Sequence, residues 1–449
     1  LKKIRGTEVR EIPIGLVGYG TIGQGVAAIL ALNGEEIARK VGAKIYLKHV
    51  IEKFTDRPFD VPLPEGVMSS DLDRLVNDRE VEIAIELVGG TTVARDIVKK
   101  LIESGKHVVT ANKALLAHHG KELFELARKH NRCIAFEASC GGGIPLVESI
   151  RRGLIANDIK AIYGIVNGTC NYILSSMTKE GKDYSVALKE AQAAGFAEAN
   201  PSFDVNGTDT AHKLTILSSM AFGKDVPFEA IHTEGISDIS VEDIHYGNEL
   251  GYVLKLLAIG IKDDDGISVR VHPAFISKDD PLSQVSGPFN AVSVFGNAVG
   301  HTMFYGRGAG RMPTASAVMS DVVDIVLGNA RQTFNSLAIL PDVTEPAKLK
   351  PMAEIFSRYY LRLMVVDRPG VLAKLTEIFG RYNMSISALV QHESGKYDER
   401  GESIVPVVIL THQAKEGNVQ SAIVEIAKLE VSAQRPVCIR MMNEHPEWQ

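Results

Sequence analysis

Asp209 and Lys213 stand four residues apart in the run GTDTAHKLTILSSMAF, so on a helix their side chains share a face. On a solvated helix such a pair contributes about 0.3 to 0.5 kcal/mol and does no chemistry. Here the run is apolar after Lys213, which predicts a buried helix, and a buried lysine needs a partner or a lowered pKa. Lysine beside a carboxylate suits the reduction of a carbonyl and its reverse: the ammonium gives a proton to oxygen as hydride reaches carbon. Just upstream, Glu198 and Asp204 in GFAEANPSFDVN supply negative charge suited to an amino-acid ammonium. His212, three residues after Asp209, reads as a structural or supporting group. The Asn200-Pro201 and Asn206-Gly207 pairs mark turns and put the helix start near 207 to 208.

A second group of residues fits a phosphate. Gly18-Tyr19-Gly20-Thr21-Ile22-Gly23 follows the strand-like run IPIGLV and opens a helical one. Glycines at this spacing let the backbone turn, approach a pyrophosphate and pack helix on strand, while the helix N-terminus favours the anion. The next strand candidate ends in Glu52 and Lys53. Glu52 would accept from both adenine-ribose hydroxyls of NAD, whereas Lys53 or Arg57 would favour the extra phosphate of NADP; the choice stays open. The third and fourth strand candidates end in Gly89-Gly90-Thr91-Thr92 and Thr110-Ala111-Asn112-Lys113, where ligands of an open α/β sheet bind. Lys113 opens a helix against its dipole, an argument that something else holds it there.

A third group follows the fifth strand candidate: Glu137, then SCGGGIP. Three consecutive glycines free backbone carbonyls to point in unusual directions, and with a carboxylate they can ring a hard cation with oxygens. Cys140 offers a rival role as a nucleophile toward an aldehyde, although no histidine lies near it in sequence and a small buried residue in a tight loop is the plainer reading.

The elements that must carry these groups follow from periodicity. IPIGLV, KIYLKHVI, VEIAIELV, HVVT and CIAFEA alternate with helical stretches between 10 and 150, the pattern of a doubly wound parallel sheet. Residues 151 to 305 mix strands (IKAIYGIV, ISVRVHPAFI, HTMFYG) with helices at 184 to 195 and 207 to 221, an α+β substrate domain. GRGAG at 306 to 310 leads into SAVMSDVVDIVL, a helix that can return to the first domain and complete it over about 306 to 335. Residues 336 to 357, with Pro341, Pro346 and Pro351, read as an extended linker. From 358 to 441 the order is βαββαβ, a ferredoxin-like module. At roughly 150 residues per domain, a chain of 449 residues accommodates these three parts.

Composition narrows the partners. Lysine plus arginine number 49 against 55 acids, a net charge of −6, so no basic field invites nucleic acid. No apolar run reaches the ~20 residues of a membrane span, and LKKIRGTEVR lacks the apolar segment of a signal peptide. Four cysteines without CxxC spacing fit free thiols in a reducing compartment. A cytoplasmic protein is expected.

Taken together, GFAEANPSFDVNGTDTAHKL, the preceding NGTCNYIL (167 to 174), TANKALL, EASCGGGIP and GRGAG resemble the homoserine dehydrogenases across residues 12 to 330. The resemblance implies NAD(P)-dependent interconversion of L-homoserine and L-aspartate 4-semialdehyde, a step of threonine and methionine biosynthesis. It implies that Lys213 donates or accepts the proton, that Glu198 and Asp209 bind homoserine with help from Asp204, and that Lys113 contacts the nicotinamide cofactor and assists near the reacting hydroxyl. Gly18, Gly20, Thr21, Ile22, Gly23, Thr91, Gly195 and Gly310 would line the cofactor. A monovalent cation, Na+ or K+, would sit on Glu137 and the carbonyls of Cys140, Gly142 and Ile144. Members that use NADP often carry arginine at the end of the second strand, where this chain reads IEKF, so NAD and NADP both remain open.

The last ninety residues resemble an ACT domain, with Asp367-Arg368-Pro369-Gly370-Val371-Leu372 at its first loop. That implies feedback inhibition by threonine, in a homodimer or homotetramer, by favouring an inhibited conformation; an oligomerisation module without ligand is the simpler alternative. Two rivals to the whole reading are an aldehyde-oxidising dehydrogenase built on Cys140 and a non-catalytic amino-acid sensor.

Overall fold

The computed structural model describes residues 3–4, 7–8, 10–398 and 400–442. It divides into two compact units. The first holds the chain up to Ile162 with Asp209–Ile231 and Phe289–Ala347; the second holds Tyr163–Thr208, His232–Pro288 and the chain from Lys348 onward.

The first unit is built on six parallel strands: β1 (Arg10–Val17), β2 (Ala43–Ile51), β3 (Met68–Ser69), β4 (Ile83–Glu86), β5 (His107–Thr110) and β6 (Ile134–Ala135), in the spatial order β3-β2-β1-β4-β5-β6. This is the Rossmann order. Ile14, Leu16, Ile83, Ile85, Val108 and Val109 are all buried, as unbroken apolar strands covered on both faces require. Helices α1 (Thr21–Val41), α2 (Thr92–Glu103) and α3 (Lys113–Lys129) follow β1, β4 and β5. In α2, Ala94, Val98, Leu101 and Ile102 are buried, the helical repeat of an inward stripe. Register aligns Val17 with Glu86 and Glu86 with Thr110. The loops after β1, β4 and β5, which carry Gly18, Thr91 and Lys113, therefore leave the sheet along one edge.

Three further elements complete this unit. Helix α4 (Thr208–Phe222) begins where the turn residues predict, the hairpin β7 (Phe289–Gly296) and β8 (Gly300–Arg307) precedes the GRGAG turn, and α5 (Arg311–Val326) packs on α1. A side chain at Gly25 of α1 would lie 2.7 Å from the carbonyl of Arg311, so the two helices meet at backbone distance. The strand expected over CIAFEA is shorter than its sequence: β6 ends at Ala135 and Glu137 opens a 3-10 turn, its N–H donating to Asp321 Oδ2 (2.8 Å) on α5 instead of to a strand.

In the second unit, strands Tyr252–Asp263 and Gly266–Ser277 pair antiparallel along their whole length. The first of these was not anticipated, nor was β7. Phe356–Val366, Val371–Arg381, Ile386–Gln391, Ser403–Thr411, Glu416–Ile426 and Val437–Met441 follow as strand, helix, strand, strand, helix, strand. Their four long strands lie in the order last, first, third, second, antiparallel throughout, the ferredoxin-like arrangement. Tyr359, Leu361, Leu363 and Val365 alternate onto the face that packs against Leu375, Ile378, Val419 and Ile426. The last strand also pairs with Gly266–Ser277, Arg440 standing beside Ala274.

The proline-rich stretch, expected to be an extended linker, turns at 341–343 and again in a 3-10 segment at Met352–Glu354, and its backbone is tied down. Asp225 N–H donates to Glu345 O and Ala347 N–H to Asp225 O; beyond it, Ile267 N–H donates to Lys348 O and Lys350 N–H to Ile267 O. Among the described residues no helix is long and apolar enough to cross a membrane.

Candidate active site

The glycines between β1 and α1 divide the work expected of them. Gly18 has φ of 97°, and a side chain there would meet the Leu87 carbonyl at 2.7 Å. At Gly23 a side chain would lie 2.3 Å from the carbonyl of Gly18, so this glycine lets α1 pack on the turn. Gly20, the residue capping α1, faces open space. A turn, a close helix contact and an open approach at the helix N-terminus are the requirements of a bound pyrophosphate, and the residues fit that group.

Beside the turn, Glu52 is buried and already engaged. Oε2 accepts from the Tyr19 N–H (2.8 Å) and from Arg57 Nη2 (3.2 Å), and Oε1 accepts from the Phe54 N–H (3.2 Å). Lys53 and Arg57 are exposed.

Lys113 is held by two groups, one of which the sequence could not show. Buried Glu86 accepts from Thr110 Oγ1 (2.7 Å) and from the Val88 N–H (2.8 Å), joining the ends of β4 and β5. Asn112 caps α3 through its Oδ1 and the Leu115 N–H, and its Nδ2 donates to the Gly90 carbonyl (2.7 Å). That cap satisfies an orphan donor of α3 and sets Lys113 at the helix start. Its Nζ meets Asp209 Oδ1 at 2.9 Å, while Lys213 Nζ donates to Asp209 Oδ2 at 2.6 Å. One buried carboxylate thus holds two ammonium groups, from α3 and α4. Asp209 and Lys213 are both buried, so the pair is not a solvated surface ion pair.

The Glu137 loop packs under this cluster. Glu137 is buried and its oxygens accept from the Val147 N–H (3.0 Å) and the Glu148 N–H (2.7 Å). Burial pushes its carboxyl up to about 7 despite those bonds, and burial likewise holds Asp321, whose carboxylate accepts the Glu137 N–H, well above the ordinary range. The charge of buried Arg151 reaches both acids without offsetting their burial. Gly142 has φ of 53°, and a side chain there would meet the Gly308 carbonyl at 2.6 Å; the carbonyl-rich loop is locked against the GRGAG turn. This donor set suits a hard cation. Cys140 is fully buried, its Sγ 3.9 Å from the Lys213 carbonyl, and burial pushes its thiol up to about 12. A thiol held neutral is a poor nucleophile, which counts against the aldehyde-oxidising rival. At the end of the same turn Gly310 has φ of 123° and caps α5.

Glu198, Asp204 and Gly195 belong to the second unit. Glu198 and Gly195 are exposed, and Asp204 is half-buried. NGTCNYIL holds their loop. Asn167 Nδ2 donates to Asp204 Oδ1 (2.7 Å), the Cys170 thiol lies 3.3 Å from the Asp204 carbonyl, and Thr169 Oγ1 donates to Phe196 O (2.7 Å). Gln192 Nε2 donates to the Glu198 carbonyl (3.1 Å). From the other side the Ile236 N–H donates to Val205 O (2.8 Å), and a side chain at Gly235 would collide with that carbonyl at 2.2 Å. Next to Gly235, Glu234 accepts from Arg440 Nη1 at 2.8 Å, and Arg440 also grips Glu416 at 2.7 and 2.8 Å.

A Rossmann sheet with a pyrophosphate-shaped turn, and a lysine–carboxylate–lysine cluster at the same unit's helix termini, define a dinucleotide-dependent oxidoreductase. Family models match along the chain: "Homoserine dehydrogenase, NAD binding domain" over residues 18–137, "Homoserine dehydrogenase" over 145–323 and "ACT domain" over 359–428. The homoserine dehydrogenase of Neisseria gonorrhoeae is 43% identical over 97% of this chain and 100% of its own length; that of Pseudomonas aeruginosa is 41% identical over 94% and 96%. The crystal structure of a homoserine dehydrogenase from Thiobacillus denitrificans superposes with a TM-score of 0.90 at 42% identity, covering 97% of this chain and 99% of that one. A hyperthermophilic archaeal homoserine dehydrogenase in complex with NADPH matches with a TM-score of 0.60 at 26% identity, covering 71% of this chain and 98% of that one. The chain belongs to the homoserine dehydrogenase family.

Proposed function

We propose that the chain interconverts L-homoserine and L-aspartate 4-semialdehyde, with the proton handled at Lys213; the observation that carries this is Asp209 holding Lys113 and Lys213 together. The dinucleotide, when bound, takes or gives the hydride. In oxidation Lys213 acts as the neutral amine, whose Nζ takes the hydroxyl proton, and in reduction the ammonium returns one to the carbonyl oxygen. Asp209 fixes the direction of Nζ and so the geometry of that transfer. Lys113, at the sheet edge shared with Gly18 and Thr91, stands on the cofactor side and steadies charge on the reacting oxygen. Glu198 and Asp204 hold the substrate ammonium, and Asn167 keeps Asp204 aimed. Lys213→Ala should lower kcat for homoserine-dependent NAD(P)H formation by about 10²-fold or more while cofactor affinity holds. Retained turnover would overturn the assignment.

The remaining readings have their own supports. Gly20, Thr21, Ile22, Thr91, Gly195 and Gly310 serve the cofactor alongside Gly18 and Gly23. NADP is favoured over NAD, because the Glu52 oxygens are spent on Tyr19, Phe54 and Arg57 while Lys53 and Arg57 are exposed to meet a phosphate. Na+ or K+ on Glu137 and the carbonyls of Cys140, Gly142 and Ile144 relieves the buried acids and stiffens the loop beneath Lys213. Domains at 10–150, 151–305 and 358–441 act as cofactor, substrate and regulatory parts. Threonine is the effector at the ACT domain of a homodimer or homotetramer, and its exposed loop at 367 to 370 leaves room for ligand or partner. Four cysteines without a disulfide fit the cytoplasm.

A further inference from the structure

We infer that His118 and His212 form a proton relay that carries the proton released on alcohol oxidation from the Lys213–Asp209 pair toward solvent at Glu229. This rests on Lys213 being the proton acceptor. The two imidazoles come from different helices, α3 and α4, and meet Nε2 to Nε2 at 3.1 Å. Phe228 walls the pair: its ring stacks on His212 with centroids 4.4 Å apart and lies edge-on to His118 at 4.7 Å. Beyond them, Glu229 Oε1 is 3.6 Å from His118 Nδ1, and its side chain is 75% exposed. His118 and Glu229 also line a cavity of about 190 Å³ whose other charged groups are Lys121 and Asp225.

The direction of transfer follows from which nitrogen donates. A carboxylate only accepts, so Glu229 favours the proton on His118 Nδ1. His118 Nε2 is then an acceptor, His212 Nε2 the donor to it, and His212 Nδ1 the acceptor for the incoming proton. His212 lies one helical turn beyond Asp209 and next to Lys213, and the charges of Asp209, Lys113 and Lys213 all reach its ring. Burial, with the charge of His118 second, lowers His212 to about 4. At neutral pH it is uncharged, with one N–H and one lone pair, and can take a proton on one nitrogen while releasing another from the other.

The balance is simple. Homoserine loses hydride to the nicotinamide and its hydroxyl proton to Lys213; one water carries the proton from the pair to His212 Nδ1; His212 passes its Nε2 proton to His118, and His118 passes its Nδ1 proton to Glu229 and solvent. Lys213 returns to its starting state, while each imidazole is left as the opposite tautomer; the reverse reaction, which draws a proton back along the same path, or exchange of the ring protons with solvent restores the starting pair.

The test separates proton release from hydride transfer in the full chain. Stopped-flow with a pH indicator follows the proton while absorbance follows NAD(P)H. In His118→Phe, whose ring keeps the packing on Phe228, NAD(P)H should form at the native rate while proton release lags about tenfold, and added imidazole should restore it in proportion to its concentration. Release that keeps pace with NAD(P)H overturns the relay, and so does a lag that imidazole leaves untouched, which marks a structural role. A second readout needs no turnover: in the cofactor-free protein His118→Phe should move the NMR titration of His212 upward, since the charge of His118 helps hold it down. An unmoved His212 titration overturns the proposal. Loss of the Lys213 assignment would show instead as retained turnover in Lys213→Ala.

Discussion

Lys113 and Lys213 are held on opposite oxygens of a single carboxylate, at 2.9 and 2.6 Å. The lysines belong to helices that lie far apart in the chain, so Asp209 sets their separation as well as their orientation. Asparagine in its place keeps the shape but offers one acceptor oxygen and turns an amide N–H toward the other ammonium. Asp209→Asn should therefore cost about 10²-fold in kcat, while cofactor affinity, which depends on the β1 turn, changes little. Steady-state kinetics beside a nucleotide titration checks both halves; equal losses in affinity and kcat would make Asp209 a general structural residue.

Gly20 and Gly23 predict opposite phenotypes. A methyl at Gly20 enters open space, the space a phosphate approaches, so Gly20→Ala should leave the melting temperature near native and weaken NAD(P)H binding severalfold. A methyl at Gly23 lies 2.3 Å from the Gly18 carbonyl, and forcing helix from strand costs roughly 1 to 3 kcal/mol or more. Gly23→Ala should melt earlier. Nucleotide titration and thermal melting of the two variants decide it, and the reverse pattern would refute the division of roles.

What could be read before the structure, and what could not, follows the range of each interaction. The Asp209–Lys213 pair is a four-residue spacing on a helix and the glycine turn is a six-residue motif, so both are local and legible. Lys113 meeting Asp209, and His118 meeting His212, are made only by the fold. The helix-opening position of Lys113 signalled that it had a partner without saying which. NGTCNYIL stood out as a segment, but its task of holding Asp204 and Phe196 needed coordinates. Strand Tyr252–Asp263 escaped because YVLKLLAIGIK, with a lysine and a glycine inside an apolar run, fits helix and strand alike. Its Lys255 is buried, donating to Asn171 Oδ1 and Val285 O, a pairing no period reveals.

The buried acids of the Glu137 loop predict a response to salt. Glu137, pushed up to about 7, should be drawn down by a bound cation, since opposite charge favours the ionised form. K+ or Na+ should raise the melting temperature of the native protein where choline at equal ionic strength does not, and Glu137→Gln should abolish the difference. Identical responses to all three salts would dismiss the cation.

Acid sensitivity has a separate origin in His107. Burial, with the charge of Arg132 second, holds its imidazole down to about 4 from 6.5, and its Nδ1 accepts the Cys133 N–H at 3.1 Å. A folded pKa below the unfolded value means that the unfolded chain binds more protons between the two. The contribution to stability is therefore full above pH 6.5 and is lost as pH falls toward 4, by about 3 kcal/mol. His212, also lowered to about 4, acts in the same direction, and Glu137 in the opposite one. His107→Asn keeps an acceptor for Cys133 without a titrating ring, so its stability deficit against the native chain at pH 7.5 should shrink at pH 5. A deficit that is constant across this range would contradict the assignment.

Arg440 links the ACT fold to the acidic loop within one unit. It leaves the last strand to grip Glu416 and Glu234, and the residues after Glu234, Gly235 and Ile236, press on and hydrogen-bond to Val205, the neighbour of Asp204. A ligand that shifts the last strand thereby acts on the loop proposed to hold the substrate ammonium. Glu234→Gln removes the charge from this link while leaving Arg440 its pairing with Glu416. Coupling between sites is commonly 5- to 150-fold in affinity, so the substitution should weaken threonine inhibition by at least about fivefold and shift KM for homoserine more than kcat. By linkage, homoserine should then also perturb threonine binding less than it does in the native chain. Inhibition curves and calorimetric titrations with and without homoserine measure both directions. A native enzyme indifferent to threonine would reject threonine as effector, and undiminished inhibition in Glu234→Gln would reject this route.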